Sequence, residues 1–300
     1  MKRMFHLLEN WIIMIHYFHC NDERGAPMNK INFAGRKVLI SGASAGIGKA
    51  LSLEFARRGA NLALGSLPQE AEVLNKWAQE LKGKFGIKTW VFRIDLLKED
   101  GPDRLHREVN DTVGTPYALV NNAGTVAYGK FWETSWDRQA DTLRLNLFVP
   151  MRLMYLFLPD MVKQGEGYVF NISSVSALQP TPFQTIYGAS KAGLQSLSQA
   201  VRAELKGTGV KVCTLNPPYI DTRLLKTEGY PLDLRFYTIS GKKSPEWLAD
   251  KALKAFEKGR MMYIPGLMNQ ILHNLLVRLS PRVVVDEVSR FFLQGWKKAN

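Results

Sequence analysis

Cysteine is nearly missing from this 300-residue chain: Cys20 and Cys213 are the two thiols. Two thiols cannot form a framework of bridges, so a small disulfide-stapled secreted fold is excluded, and free thiols in a reducing, cytoplasmic setting are expected. Acidic residues are also short, 27 against 40 Lys plus Arg, giving a formal charge of +13. No nucleic-acid recognition motif accompanies that excess, which makes it a surface property and not evidence for a nucleic-acid partner. Internal repeats and low-complexity tracts are lacking. So are long apolar runs: the segment Met4–Phe18 is broken by His6, Glu9, Asn10 and His16 and falls short of the ~20 apolar residues a spanning helix needs. No small-residue cleavage site follows it. His16 and His19 stand beside Cys20 but lack a fourth ligand, and no metal site is expected.

What is present is a core: 46% of residues are apolar. Short apolar runs of strand character alternate with helix-like stretches from Lys37 to Leu215. That alternation predicts an α/β fold with a doubly wound parallel sheet, three layers deep. We expect an extension over residues 1–30, loosely attached or lying on a membrane as an amphipathic helix. A Rossmann-type domain over 31–260 and a helical C-terminal appendage over 261–300 complete the expected division.

Chemistry concentrates in four places. Lys37-Val-Leu-Ile-Ser41 is followed at once by Gly42-Ala-Ser-Ala-Gly46-Ile-Gly48 and then a helical pattern carrying Leu51, Phe55 and Ala56. Strand, glycine turn and helix is the context of a phosphate-binding loop, because the helix start offers free N–H groups and a positive dipole end. Ala118-Leu-Val-Asn121 runs into Asn122-Ala123-Gly124, and Tyr168-Val-Phe-Asn-Ile runs into Ser173-Ser174. Both polar groups fall at the carboxyl ends of presumed parallel strands, where open α/β sheets gather ligands. Finally, Tyr187 and Lys191 are four apart, on one face of a helix. An ammonium group near a phenol favours the phenolate and lowers its pKa towards the range of an acid/base catalyst.

Taken together, these motifs resemble the short-chain dehydrogenase/reductase family from about residue 37 to residue 222. The resemblance implies an NAD(P)-dependent oxidoreductase that interconverts a carbonyl and a secondary alcohol. It assigns Asn146, Ser174, Tyr187 and Lys191 as catalytic, Ser174 and not Ser173 having the 13-residue offset from the tyrosine. For the cofactor it implies Gly42, Ser44, Gly46, Ile47 and Gly48 at the turn, Asp95 at the adenine, and Asn122, Ala123 and Gly124 beside the sheet. Tyr187, Lys191, Pro217, Ile220 and Thr222 complete that set. One departure is that Pro218 stands where the family pattern has a glycine. Eighteen residues beyond Gly48, where the family's NAD-binding members carry an acid, stands Ser66. The missing carboxylate removes a repulsion against phosphate, so NADP(H) is favoured over NAD(H).

Aromatic and aliphatic residues in three segments, among them Tyr128, Phe131, Trp132, Leu178, Phe183, Tyr219, Leu224, Leu225, Tyr230, Phe236 and Tyr237, predict an apolar pocket for a lipid, steroid or acyl-like small molecule. Beyond residue 240 eleven Lys/Arg face five Asp/Glu, amid Val283, Val284, Val288, Phe291 and Trp296. Such a segment suits either packing on the substrate cleft or a second copy, or peripheral contact with anionic membrane. A homo-oligomer is expected from the resemblance. The alternative to an enzyme is a catalytically silent nucleotide sensor or membrane-associated scaffold on the same fold.

Overall fold

The computed structural model describes residues 31–227, 229–273 and 277–295. The N-terminal segment with His6, His16, His19 and Cys20, and the basic pair Lys297 and Lys298, lie outside the described residues. Seven parallel strands form one sheet: β1 (Lys37–Ser41), β2 (Asn61–Ser66), β3 (Thr89–Arg93), β4 (Ala118–Asn121), β5 (Gly167–Ile172), β6 (Val210–Leu215) and β7 (Met262–Tyr263). Their spatial order is β3-β2-β1-β4-β5-β6-β7, so the chain reverses its direction of travel between β1 and β4. This is the Rossmann-type doubly wound sheet, and its switch point opens a crevice at the carboxyl edge. Strand β7 lies just past the expected boundary at residue 260.

Both faces of the sheet are covered, which is why its strands read as unbroken apolar runs. Successive side chains point to opposite faces. Val38 and Ile40, Leu62 and Leu64, and Phe170 and Ile172 join one core cluster with helices α1 (Gly46–Arg57) and α2 (Ala71–Phe85). The alternate residues Leu39, Ala63 and Val169 join the other, with α3 (Gly101–Thr112). On that second face, α4 (Trp136–Leu143) continues through a π-helical turn at Arg144–Phe148 into α5 (Val149–Gln164). The whole run Trp136–Gln164 is long and apolar enough to cross a membrane. Its inner side chains Leu153, Met154, Phe157 and Met161 are instead packed in the core. Buried rings at Phe33, Phe55, Phe170 and Phe256 contact one another at 4.9–6.3 Å between centroids, each contributing roughly 1.5–3 kcal/mol by burial.

Helix α6 (Thr185–Glu204) precedes β6, and a lid follows it, containing the 3-10 turn Arg223–Lys226 and helix α7 (Arg235–Ser240). Ser244 caps the next helix, its hydroxyl accepting from the Trp247 N–H at 3.1 Å, and opens α8 (Pro245–Glu257). Short α9 (Leu267–Ile271) leads towards α10 (Arg282–Phe292). The chain around α10 packs on the lid: Phe292 meets Phe236, the Tyr128 hydroxyl donates to the Leu293 carbonyl at 2.7 Å, and Leu234 bridges to Gly295. Val284, Val288 and Phe291 on its outer side stay exposed.

Candidate active site

The glycine turn is shaped by contacts that tolerate no side chain. Gly42 has φ +66°, and a Cβ on Gly48 would lie 2.1 Å from the Gly42 carbonyl oxygen. The turn is braced by Asn122, whose amide donates to the carbonyls of Ser41 and Gly42 at 2.9 and 3.0 Å. The Ser41 hydroxyl accepts from the backbone N–H groups of Asn122 and Ala123 at 3.0 and 3.1 Å. Ser41 was not singled out from sequence, although its place immediately before Gly42 carried the signal.

At the neighbouring strand end, Gly124 is held close for another reason. A Cβ there would come within 2.8 Å of Asn146 Oδ1 and 3.7 Å of Lys191 Nζ. Asn146 is fully buried in the π-helical turn, an irregularity that recurs at functional sites. Its amide donates to the Thr125 carbonyl at 2.8 Å and the Ser190 hydroxyl at 3.2 Å, and its oxygen accepts from the Thr125 N–H at 3.0 Å. The Lys191 ammonium donates to the carbonyl of Ile172, the last residue of β5, at 2.8 Å. Burial holds Lys191 down to a pKa of about 8.

Tyr187 and Lys191 do share one face of α6, Nζ lying 5.8 Å from the ring centroid. Burial pushes the Tyr187 phenol up from its ordinary value, and a hydrogen bond with Ser174 pulls it back in part. The expected lowering by the Lys191 charge does not outweigh that burial, because the amine is itself penalised as a cation in the same dry surroundings. The two serines separate clearly. Ser173 donates to the Lys191 carbonyl at 3.1 Å, within the packing, while Ser174 accepts from the Ser176 N–H at 3.0 Å and faces Tyr187.

These groups line one cavity of about 340 Å³. Asn146, Ser174, Tyr187 and Lys191 border it with Gly42, Gly46, Ile47, Asn122, Ala123, Gly124, Pro217, Ile220 and Thr222. Four expected cofactor residues stand elsewhere. Gly48 is packed behind the turn. Ser66 is buried and donates to the Leu67 carbonyl at 3.1 Å. Asp95 accepts from the Leu97 N–H at 3.0 Å. Ser44 donates to Glu70 at 2.5 Å. Glu70, which the sequence did not bring forward, also pairs with Arg223 at 3.0 Å. That bridge reaches from the lid after β6 to the turn after β2, over the carboxyl ends of the strands between.

Of the expected substrate-pocket residues, Tyr219, Leu224 and Leu225 line the cavity. Phe131 and Trp132 lie exposed on the surface. Tyr128, Tyr230 and Tyr237 form an aromatic cluster with the lid, where burial drives Tyr128 up to about 12. Gln184 and Thr125 also border the cavity and were missed, since a lone amide or hydroxyl carries no spacing pattern.

The profile of the short chain dehydrogenase family matches residues 36–231. Ketoacyl reductase HetN of Nostoc sp. is 29% identical over 266 residues, covering 86% of this chain and 89% of that protein. Very-long-chain 3-oxoacyl-CoA reductase of Bos taurus is 31% identical, covering 73% and 68% respectively. Among solved structures, a short-chain dehydrogenase from Sphingobium yanoikuyae in complex with NADPH superposes with a TM-score of 0.72 at 26% identity, over 88% of this chain and 97% of that one.

Proposed function

Because this chain belongs to the short chain dehydrogenase family and is an oxidoreductase that takes a nicotinamide cofactor, we propose that it interconverts a carbonyl and a secondary alcohol on an apolar, lipid-, steroid- or acyl-like substrate. The convergence of Asn146, Ser174, Tyr187 and Lys191 on one cavity with the glycine turn carries this reading. The cradle fits a dinucleotide, since Gly42 and Gly46 border the cavity as bare backbone and Gly48 lets the helix start pack tightly against the turn. Gly42, Gly46, Ile47 and Thr222 would hold the diphosphate, Asn122, Ala123 and Gly124 the strand-end side, Lys191 the ribose, and Pro217 and Ile220 the nicotinamide. A bound nicotinamide supplies or accepts the hydride.

The remaining work falls to side chains. Ser174 and Tyr187 donate to the substrate oxygen, where negative charge develops during reduction and preplaced donors stabilise it. Tyr187 delivers the proton. Lys191, a buried amine, draws the phenol towards ionisation, and Asn146 fixes the Thr125 backbone and Ser190 beside it. Tyr219, Leu224 and Leu225 support the apolar substrate, as do the ketoacyl and 3-oxoacyl-CoA reductases among the relatives.

NADP(H) in preference to NAD(H) belongs to the same proposal, supported by Ser66 at the end of β2, by Arg223 near the turn and by the NADPH complex among the similar structures. So does a homo-oligomer, supported by the exposure of the large aromatic side chains Trp132, Trp136, Phe148 and Tyr155. A cytoplasmic setting with peripheral membrane contact through the C-terminal stretch completes the proposal. The test is nicotinamide absorbance with a panel of ketones and alcohols. Tyr187→Phe is expected to abolish turnover while keeping cofactor affinity; a silent nucleotide sensor would bind cofactor and turn over nothing in either form.

A further inference from the structure

Helix α10 carries apolar side chains on two sides. Val285 is buried on the inner side, and Phe292 and Leu293 continue its contact with the lid. Val283, Val284, Val288 and Phe291 are 48–74% exposed, and helical spacing sets them within an arc of about 140° on the outer side. A helix apolar on both faces is ordinarily covered on both, so the outer face calls for a partner.

Charge decides which partner fits. From residue 277 to the end, Arg278, Arg282, Arg290, Lys297 and Lys298 stand against Asp286 and Glu287. Glu287 pairs with Arg290 at 2.8 Å. A second copy docked symmetrically on this face would set the positive surplus against itself. An anionic lipid surface meets it with opposite charge and takes the apolar side chains between its headgroups.

The same helix grips the lid at Arg235, the first residue of α7. The Arg235 N–H donates to the Gln294 carbonyl at 3.2 Å, and its guanidinium donates to the Phe291 carbonyl at 3.3 Å. That guanidinium also lies 4.5 Å from the centre of the Phe291 ring. Phe291 therefore belongs both to the outer face and to the clasp. From here two ring contacts lead to the cavity: Phe292 meets Phe236 at 6.4 Å, and Phe236 meets the cavity-lining Tyr219 at 5.2 Å. Leu234, fully buried beside Arg235, shares a cluster with Leu225, which borders the same cavity.

At an anionic membrane both halves of the clasp gain a better alternative. The Phe291 ring leaves water for hydrocarbon, and the Arg235 guanidinium exchanges an exposed ring for lipid phosphate. An exposed cation–π contact is weaker than either. We propose that the outer face of α10 docks on an anionic membrane surface and that docking releases the lid at Arg235, opening the cavity to an apolar substrate dissolved in the lipid. The proposal rests on the peripheral-membrane reading above, names the face and the lipid, and adds control of the active site to it.

The test uses the full-length protein with vesicles of phosphatidylcholine alone and of phosphatidylcholine with about one-third phosphatidylglycerol. Cosedimentation should favour the anionic vesicles by about tenfold or more. Hydrogen exchange read by mass spectrometry should show residues 219–240 exchanging about tenfold faster on those vesicles, with β4 and β5 unchanged. Val284→Asp combined with Val288→Asp should cut vesicle binding about tenfold, with normal lid exchange in solution. Arg235→Gln should speed lid exchange without vesicles while vesicle binding persists, and it serves as the readout if the double variant does not fold. Vesicle binding without faster lid exchange, equal binding to both vesicles, or binding indifferent to Val284 and Val288 overturns the inference and leaves peripheral contact standing. A dimer in solution that the double variant splits assigns the face to a second copy and overturns it too. Sedimentation with neither vesicle overturns both readings.

Discussion

Replacing Gly48 by alanine tests the glycine turn at its tightest point. The added Cβ would lie 2.1 Å from the Gly42 oxygen and 2.5 Å from the Asn122 amide nitrogen. Helix propensity acts in the opposite direction, since alanine is favoured over glycine by up to ~1 kcal/mol inside a helix. The clash dominates. Real Cβ contacts essentially never fall below 3.0 Å, so the start of α1 must retreat by about 1 Å. Overpacking of that kind costs about 1–3 kcal/mol. Loss of the 3.0 Å bond from Asn122 to Gly42 adds about 1 kcal/mol. After the propensity gain, the net loss is roughly 1–3 kcal/mol, or on the order of 2–12 °C in melting temperature for a domain of this size. The same retreat moves the N–H groups at the helix start, and a displacement of about 1 Å is enough to cost up to a hundredfold where groups must be aligned. Thermal unfolding with and without NADPH measures both effects. Ligand at about a hundred times Kd stabilises a folded protein by ~2.7 kcal/mol, and the variant should lose most of that increment. A variant melting within 1 °C of wild type, with the same shift on adding NADPH, would refute the reasoning.

Four further variants have expected outcomes. Ser174→Ala should lower kcat about a hundredfold with little change in cofactor affinity, from loss of one oxyanion donor. Ser173→Ala, which removes only the bond to the Lys191 carbonyl, should cost about 1 kcal/mol of stability and far less turnover; reversed effects would mean the wrong serine was assigned. The pKa of Lys191 is about 8 in the fold against an ordinary 10.5, so the unfolded chain binds more protons between those values. Stability should therefore rise with pH from about 8 to 10.5, and the penalty should be fully present below 8. The melting-temperature difference, wild type minus Lys191→Met, should become more positive from pH 7.5 to pH 10; a flat difference would refute the buried-amine argument. Glu70→Gln frees Arg223 and Ser44 from a carboxylate. It should tighten NADP(H) more than NAD(H), by about twofold to fivefold given the exposure of Arg223, as read by fluorescence titration with both cofactors. Equal changes for the two would separate Glu70 from the phosphate.

The linear order of residues was enough to determine the parallel sheet, because strands buried on both faces must be apolar throughout and the crossovers between them must be helical. It also placed Gly42, Asn122 and Ser174 at the cavity, since each is set by the strand it follows, but not Ser44 and Gly48, which were expected at the same turn and stand away from it. The pairing of Tyr187 with Lys191 followed from helical spacing alone. Other features depend on distance through space between segments far apart in the chain. Glu70 reaches Ser44 and Arg223 across 26 and 153 residues, and no local pattern announces such a contact. Ser66 and Asp95 bond locally, a choice between competing partners that is made only when the loops pack. The direction of the Tyr187 shift was also undetermined by spacing, because it depends on how completely the surrounding lid excludes water. Strain at Phe183, whose φ is 66°, and the burial of Gln184 arise from the same packing: tertiary contacts repay a backbone conformation and a desolvated amide that neither residue would adopt alone.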